Sequence, residues 1–167
     1  MSAHGVLLAL DAATVDRLRA EEDEDLRREW LVDVVEADLF EQSPQWAYET
    51  DVAWDAIHRS LTDGDLDWDN GTYPLNHVIL GGEHLYDEND AILSLKSPEQ
   101  VREIAAALSL VTPARFKAGY HRIPAEDYDG LKGLEDYHSA WDEFCELPEF
   151  FQRAADAGRW VIFSVDL

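Results

Sequence analysis

The sequence predicts an α+β fold: a single compact domain over residues 1–167, with a small sheet of short strands packed by about six helices. Three observations predict it. Three short apolar runs, His4–Leu10, Ala91–Lys96 and Trp160–Asp166, read as strands. Between them, apolar residues recur at helical spacing. The two kinds of segment do not alternate regularly, so a doubly wound sheet is not expected.

The elements follow in order. His4–Leu10 reads as a buried strand feeding a helix that Asp11 or Thr14 can cap, since their oxygens accept from the free N–H groups of a first turn. The charge run 21–25 is a solvated junction between two helices. Leu26, Trp30, Val34 and Ala37 then place a helix over about residues 23–40. Pro44 biases Ser43 away from helix, and 42–51 reads as a loop. Trp54, Ile57, His58 and Leu61 lie on one face of a helix that Gly64 can end. An acidic loop over 63–73 turns at Asn70-Gly71. Residues 74–80 read as a short helix opened by Pro74 and stopped by Gly81-Gly82.

After a polar turn and the strand Ala91–Lys96, Ser97-Pro98-Glu99-Gln100 forms a capping box, and Val101, Ile104, Ala105 and Leu108 supply the buried face. Thr112-Pro113 opens a shorter helix to about Tyr120, and Ile123-Pro124 begins a loop. From 130 to 158 the pattern is helical. Leu134, Tyr137, His138, Trp141, Phe144 and Cys145 share a face, Pro148 predicts a kink or a restart, and Gly158 suits the C-cap. The two end strands are expected to pair.

Composition bounds the function. The chain has 36 Asp+Glu against 13 Lys+Arg, a net charge of -23. Its 46% apolar content is enough for a core and argues against disorder. A single Cys excludes an intramolecular disulfide and a multi-Cys zinc site. The acidic excess argues against nucleic acid and membrane surfaces, whose binding needs Lys and Arg. It attracts basic proteins, cations and cationic small molecules; solubility or salt adaptation explains the same charge with no partner. No basic region precedes the short apolar run Gly5–Leu10, and no apolar stretch approaches the ~18 residues of a membrane span. A cytoplasmic protein is expected.

Four segments, in order, carry a family resemblance. Ala53–Thr62 resembles a tryptophan-to-histidine helix that ends in a Leu-Thr-Gly turn, and Pro74-Leu75…Leu80-Gly81-Gly82 resembles a Pro-Leu…Leu-Gly-Gly segment. Ser97–Leu108 looks like the family's capped helix, and Phe150–Ile162 like its final helix and strand. The chain thus resembles the bacterial YfbM-like family, a domain of unknown function. The resemblance implies a compact cytoplasmic α+β domain and no reaction. Asp63 before Gly64 departs from the family's turn.

Candidate chemistry is sparse. Asp63, Asp65, Asp67 and Asp69 alternate, but the loop fails the EF-hand template and reads as solvated and self-repelling. His77 and His84 flank Gly81-Gly82, yet no His-Glu-x-x-His or His/Cys box exists, so no metal or cofactor is expected. His58 and His138 read as partly buried and satisfied, and Cys145 as core, ~10 Å along the helix from His138. There is no nucleophile elbow, phosphate loop or dinucleotide fingerprint. What remains is aromatic rings among carboxylates: Trp46, Tyr48, Trp68, Tyr73 and Tyr86, with Asp67 and Asp69. Such rings either hold a cation or a basic surface, or fold back onto the core.

The leading expectation is a non-enzymatic acidic interaction domain, of inhibitor or immunity type, for a basic protein partner. The alternative is an enzyme or binding domain for a small cationic or polar ligand, with His58 or His77 as acid/base beside Asp55 or Glu83.

Overall fold

The computed structural model describes residues 3–167. The apolar runs at the two ends of the chain do pair. β1 (Gly5–Leu10) and β5 (Trp160–Asp166) lie antiparallel, from Val6 opposite Ser164 to Leu10 opposite Trp160. β4 (Ala91–Lys96) pairs with the other edge of β5. Two strands that the sequence reading missed complete a five-stranded antiparallel sheet, in the order β2-β1-β5-β4-β3.

β2 (Ala47–Asp51) forms where a loop was expected. As an edge strand it buries only Thr50, whose hydroxyl donates to the Gly5 carbonyl at 2.9 Å, so its exposed acids hide the strand pattern. β3 (Glu83–His84) is two residues long and carries no readable period.

Both faces of the sheet are covered. Val6, Leu8 and Leu10 point to one face, with Leu93, Leu95 and Ile162, and meet helix α1 (Ala12–Ala20) and the helical stretch after it. Leu7, Ala9, Val161 and Phe163 point to the other. There they meet α4 (Trp54–Leu61), α5 (Pro98–Leu108), α6 (Pro113–His121) and α7 (Leu134–Asp156). Side-chain alternation across a sheet assigns successive residues to opposite cores. No helix among the described residues is long and apolar enough to cross a membrane.

The helix starts are those the local chemistry dictates. Asp11 accepts from the Thr14 N–H at 2.8 Å, Ser97 and Gln100 form the full capping box, and Thr112 accepts from the Arg115 N–H. The helix expected over 23–40 is α2 (Glu24–Trp30), a π-helical segment Leu31–Glu36 and α3 (Ala37–Gln42), wound without a break. Its buried face differs from the expected one. Leu26 and Val34 are exposed, while Leu31 and Val35 pack on the sheet; within the π segment a wider turn shifts the face away from the 3.6-residue spacing.

The short helix expected over 74–80 is only the 3₁₀ turn Leu75–His77. The carbonyls of Ile79, Leu80 and Gly81, just past that turn, accept from side chains of β4.

Pro148 does not restart α7: the helix is continuous through it. The missing N–H leaves the Phe144 carbonyl without its helical partner. Leu147, Phe150 and Phe151 around it are buried, and their packing outweighs that loss. Cys145 and His138, placed on the buried face by spacing, are both exposed, because Ala140, Phe144 and Leu147 define that face.

Two stability outcomes follow from this packing. Pro148→Ala restores a helical hydrogen bond without opening a gap, and raises unfolding free energy in urea by about 1–3 kcal/mol. Gly119 in α6 lies against the Ser60 main chain of α4, where a Cβ would overlap the Ser60 carbonyl oxygen. Gly119→Ala therefore lowers unfolding free energy by about 2–3 kcal/mol in the same titration.

Candidate functional site

A cleft lies where the start of α4 faces the loop before α7. It encloses about 480 Å³. Ala53, Ala56 and Ala140 supply an apolar floor, with Val52, Leu66 and Leu167 at its mouth. Those last three are among the exposed large apolar residues of the surface. Set into these walls are three carboxylates, Asp55, Asp129 and Asp136, and the ring of Tyr128.

Each carboxylate is held differently. Asp55 accepts from Arg59 Nε at 2.6 Å, one turn along α4. Burial raises its pKa, and the Arg59 charge opposes that rise. Arg59 is itself fully engaged: its other nitrogens donate to the carbonyls of Gly64 and Asp127 at 3.1 and 2.9 Å. It thereby ties α4 to both loops that wall the cleft. Asp136, on the first turn of α7, accepts from the Tyr120 hydroxyl at 2.6 Å and the Tyr128 hydroxyl at 2.9 Å. Burial comes first in raising both phenols, Tyr120 to about 12, so both stay protonated donors that aim the carboxylate. Asp129 is exposed and makes no ion pair among the described residues. The cleft is thus partly apolar and anionic, with Arg59 beneath it neutralising Asp55.

Of the residues singled out from sequence, only Asp55 reaches this cleft. The expected His58–Asp55 pair does not form, because Asp55 turns to Arg59. His58 is 1% exposed, and its Nε2 donates to the Asp67 carbonyl at 2.9 Å and Asn70 Oδ1 at 2.8 Å. Asn70 in turn donates to Thr62, Asp63 and the Asp65 carbonyl. His58 therefore clamps the acidic loop. His77 Nδ1 sits 2.8 Å from Asn76 Oδ1, and Glu83 pairs with Arg19 on the other side of the sheet edge, so these two are not an acid–base couple either.

The loop rings pack on neighbouring side chains, and Trp68 and Tyr73 stay 37% and 41% exposed. Trp68 lies on the His84 ring at 3.6 Å between centroids, and Tyr73 meets His77 edge-on at 4.9 Å. Trp46 is covered by the Arg159 guanidinium at 4.2 Å. Tyr48 packs on Phe150 and its hydroxyl donates to Glu143. Tyr86 is 4% exposed and bonds to Asp25 and Asp90, so it presents no ring to a partner. Asp67 caps the Trp68 N–H at 2.7 Å; Asp69 stays exposed. Asp136, Tyr128 and Asp129 escaped the sequence reading because their neighbours in space lie on α4, and no local spacing connects them.

A buried lysine organises the histidine side. Lys96 Nζ donates to the carbonyls of Ile79 and Ser94 and to the Ser94 hydroxyl. Burial holds it well below the ordinary lysine range. Burial likewise holds His58, His77 and His84 below the ordinary histidine range. The unfolded chain then takes up protons near pH 6.5 that the folded chain refuses, so stability is full above that pH and is lost as pH falls below it. The thermal midpoint accordingly falls between about pH 7 and about pH 5.5, and His77→Gln flattens that slope in melts followed by circular dichroism.

The model of a domain of unknown function, DUF1877, matches residues 1–164. No curated protein matches the chain. Among solved structures, the fold is similar to the crystal structure of a protein of unknown function, YfbM from Escherichia coli, with a TM-score of 0.71 and 18% identity over 99% of each chain. That likeness is one of fold. With the family model spanning nearly the whole chain, this protein belongs to the YfbM-like family of the domain of unknown function DUF1877.

Proposed function

We propose that this protein is a non-catalytic acidic binding domain whose cleft takes a cationic group on an apolar shaft. That group is the Lys or Arg side chain of a basic protein, or a free organic amine of the same shape. The observation that carries the reading is the placement of Asp55, Asp129 and Asp136 around apolar walls in one cleft of about 480 Å³. Apolar walls take the shaft, and the carboxylates and the Tyr128 ring take the charge. The net charge of -23 supports it by raising the encounter rate with cations. None of the described histidines lines the cleft, so the acid–base reading of His58 or His77 gains no support from this site. A cytoplasmic setting belongs to the same proposal.

Titration by NMR with butylamine, agmatine and a short Arg/Lys peptide tests it, with butyrate as the control of equal shaft and opposite charge. The amines shift signals from the cleft and butyrate does not. Asp129→Asn and Asp136→Asn each weaken binding about tenfold, or ~1.4 kcal/mol, and added salt weakens it further. Tighter binding of the peptide than of the free amines identifies a protein partner; the reverse identifies a small ligand. Equal binding of butyrate, or affinity unmoved by both substitutions, would overturn the reading.

A further inference from the structure

We propose that His4, Glu49 and Asp51 form a binding site for a divalent transition-metal cation of the Zn²⁺ class, at the β1–β2 edge of the sheet. His4 Nδ1 lies 2.7 Å from Asp51 Oδ1 and 3.5 Å from Glu49 Oε1. All three donor atoms fall within 4.8 Å of one another. With metal–ligand bonds of ~2.0–2.2 Å, adjacent donors in a tetrahedral or octahedral shell stand roughly 2.9–3.6 Å apart. The His4–Glu49 separation falls within that spacing, and the His4–Asp51 separation, now a hydrogen-bond distance, needs to open by only a few tenths of an ångström to reach it.

The sheet itself sets this convergence. Asp51 pairs opposite Gly5 and Glu49 opposite Val6, and a bulge between Gly5 and Val6 brings His4 alongside both. Glu49 and Asp51 are both exposed, on either side of the buried Thr50. A nitrogen with two carboxylates suits Zn²⁺ and its neighbours, whereas Mg²⁺ and Ca²⁺ are held by oxygens alone.

A second feature adjoins the triad. His4 also walls a cleft of about 280 Å³ together with Glu36 and Asp166. Glu36 is half-buried there and makes no ion pair among the described residues. Burial, then Asp166 and Glu49, raises its pKa. A dication at the triad relieves the mutual repulsion of these acids, and its solvent side stays open to water or a small anionic ligand. This site shares no donor with the amine cleft, so each stands or falls alone.

Isothermal titration of the untagged full chain with zinc chloride tests it, at about 0.3 M salt to screen diffuse binding. The expected result is one site per chain with a micromolar Kd, and no comparable heat from magnesium chloride. His4→Ala, Glu49→Gln and Asp51→Asn each weaken it at least tenfold while circular dichroism stays unchanged. Asp51 has φ +51°, a conformation that Asn tolerates well, so Asp51→Asn removes charge without backbone strain. Several weak sites unmoved by these changes, equal binding of Mg²⁺, or loss with His4→Ala alone would each overturn the proposal.

Discussion

Lys96 ends β4 in a chain that carries 36 carboxylates, yet its amine is fully buried and hydrogen-bonded to main-chain carbonyls and Ser94 rather than to an acid. A buried amine without a counter-ion is costly unless its donors are satisfied. Here the satisfaction comes from chain 79–81, which has no regular structure of its own. The Ser94 hydroxyl bonds to the carbonyls of Leu80 and Gly81 from the same strand. Much of what lies between α4 and β4 depends on this arrangement. Side chains of β4 hold chain 79–81, and main-chain pairing then lays the short strand β3 along β4.

The same logic extends to the other cations. Arg27, Arg59, Arg122, Lys132, Arg153 and Arg159 also donate to main-chain carbonyls, many of them in loops. With Lys96 they make seven of the 13 basic side chains. A guanidinium presents several donors in a fixed fork and so ties together strands of chain that lack ladders of their own. The consequence is electrostatic. Cations are spent inside or flat against the surface, and carboxylates are left facing water, so the outward field is strongly negative. Asp129, exposed and free of any ion pair among the described residues, belongs to that field, whereas Asp55 and Asp136 are already engaged by Arg59 and two tyrosines.

Misread elements share a cause. Local signals that stand on two or three adjacent residues, such as the caps at Asp11, Ser97 and Thr112, were legible because a cap is satisfied within its own turn. The face of α7 was blurred by Cys145 and His138, which are neither apolar enough to demand burial nor charged enough to forbid it. The face of the second helical stretch was displaced because a π turn breaks the 3.6-residue period on which such readings rest. The loop rings were legible as residues that either reach out or fold back. What each ring packs on is decided by partners far away in sequence, such as Arg159 for Trp46 and His84 for Trp68.

The sequence by itself determined the α+β class, the pairing of its end strands, the helix caps at Asp11, Ser97 and Thr112 and the sign of the field. These rest on composition, periodicity and chemistry within a few residues. Only the tertiary structure decided the sheet's two extra strands, the passage of α7 through Pro148, and the meeting of Asp55 with Asp129 and Asp136. An edge strand is defined by the neighbour it pairs with, an interior proline is tolerated only when packing on both sides outweighs a lost bond, and a cleft exists only between surfaces. Each of those depends on residues brought together by folding, and no pattern along the chain encodes their distance.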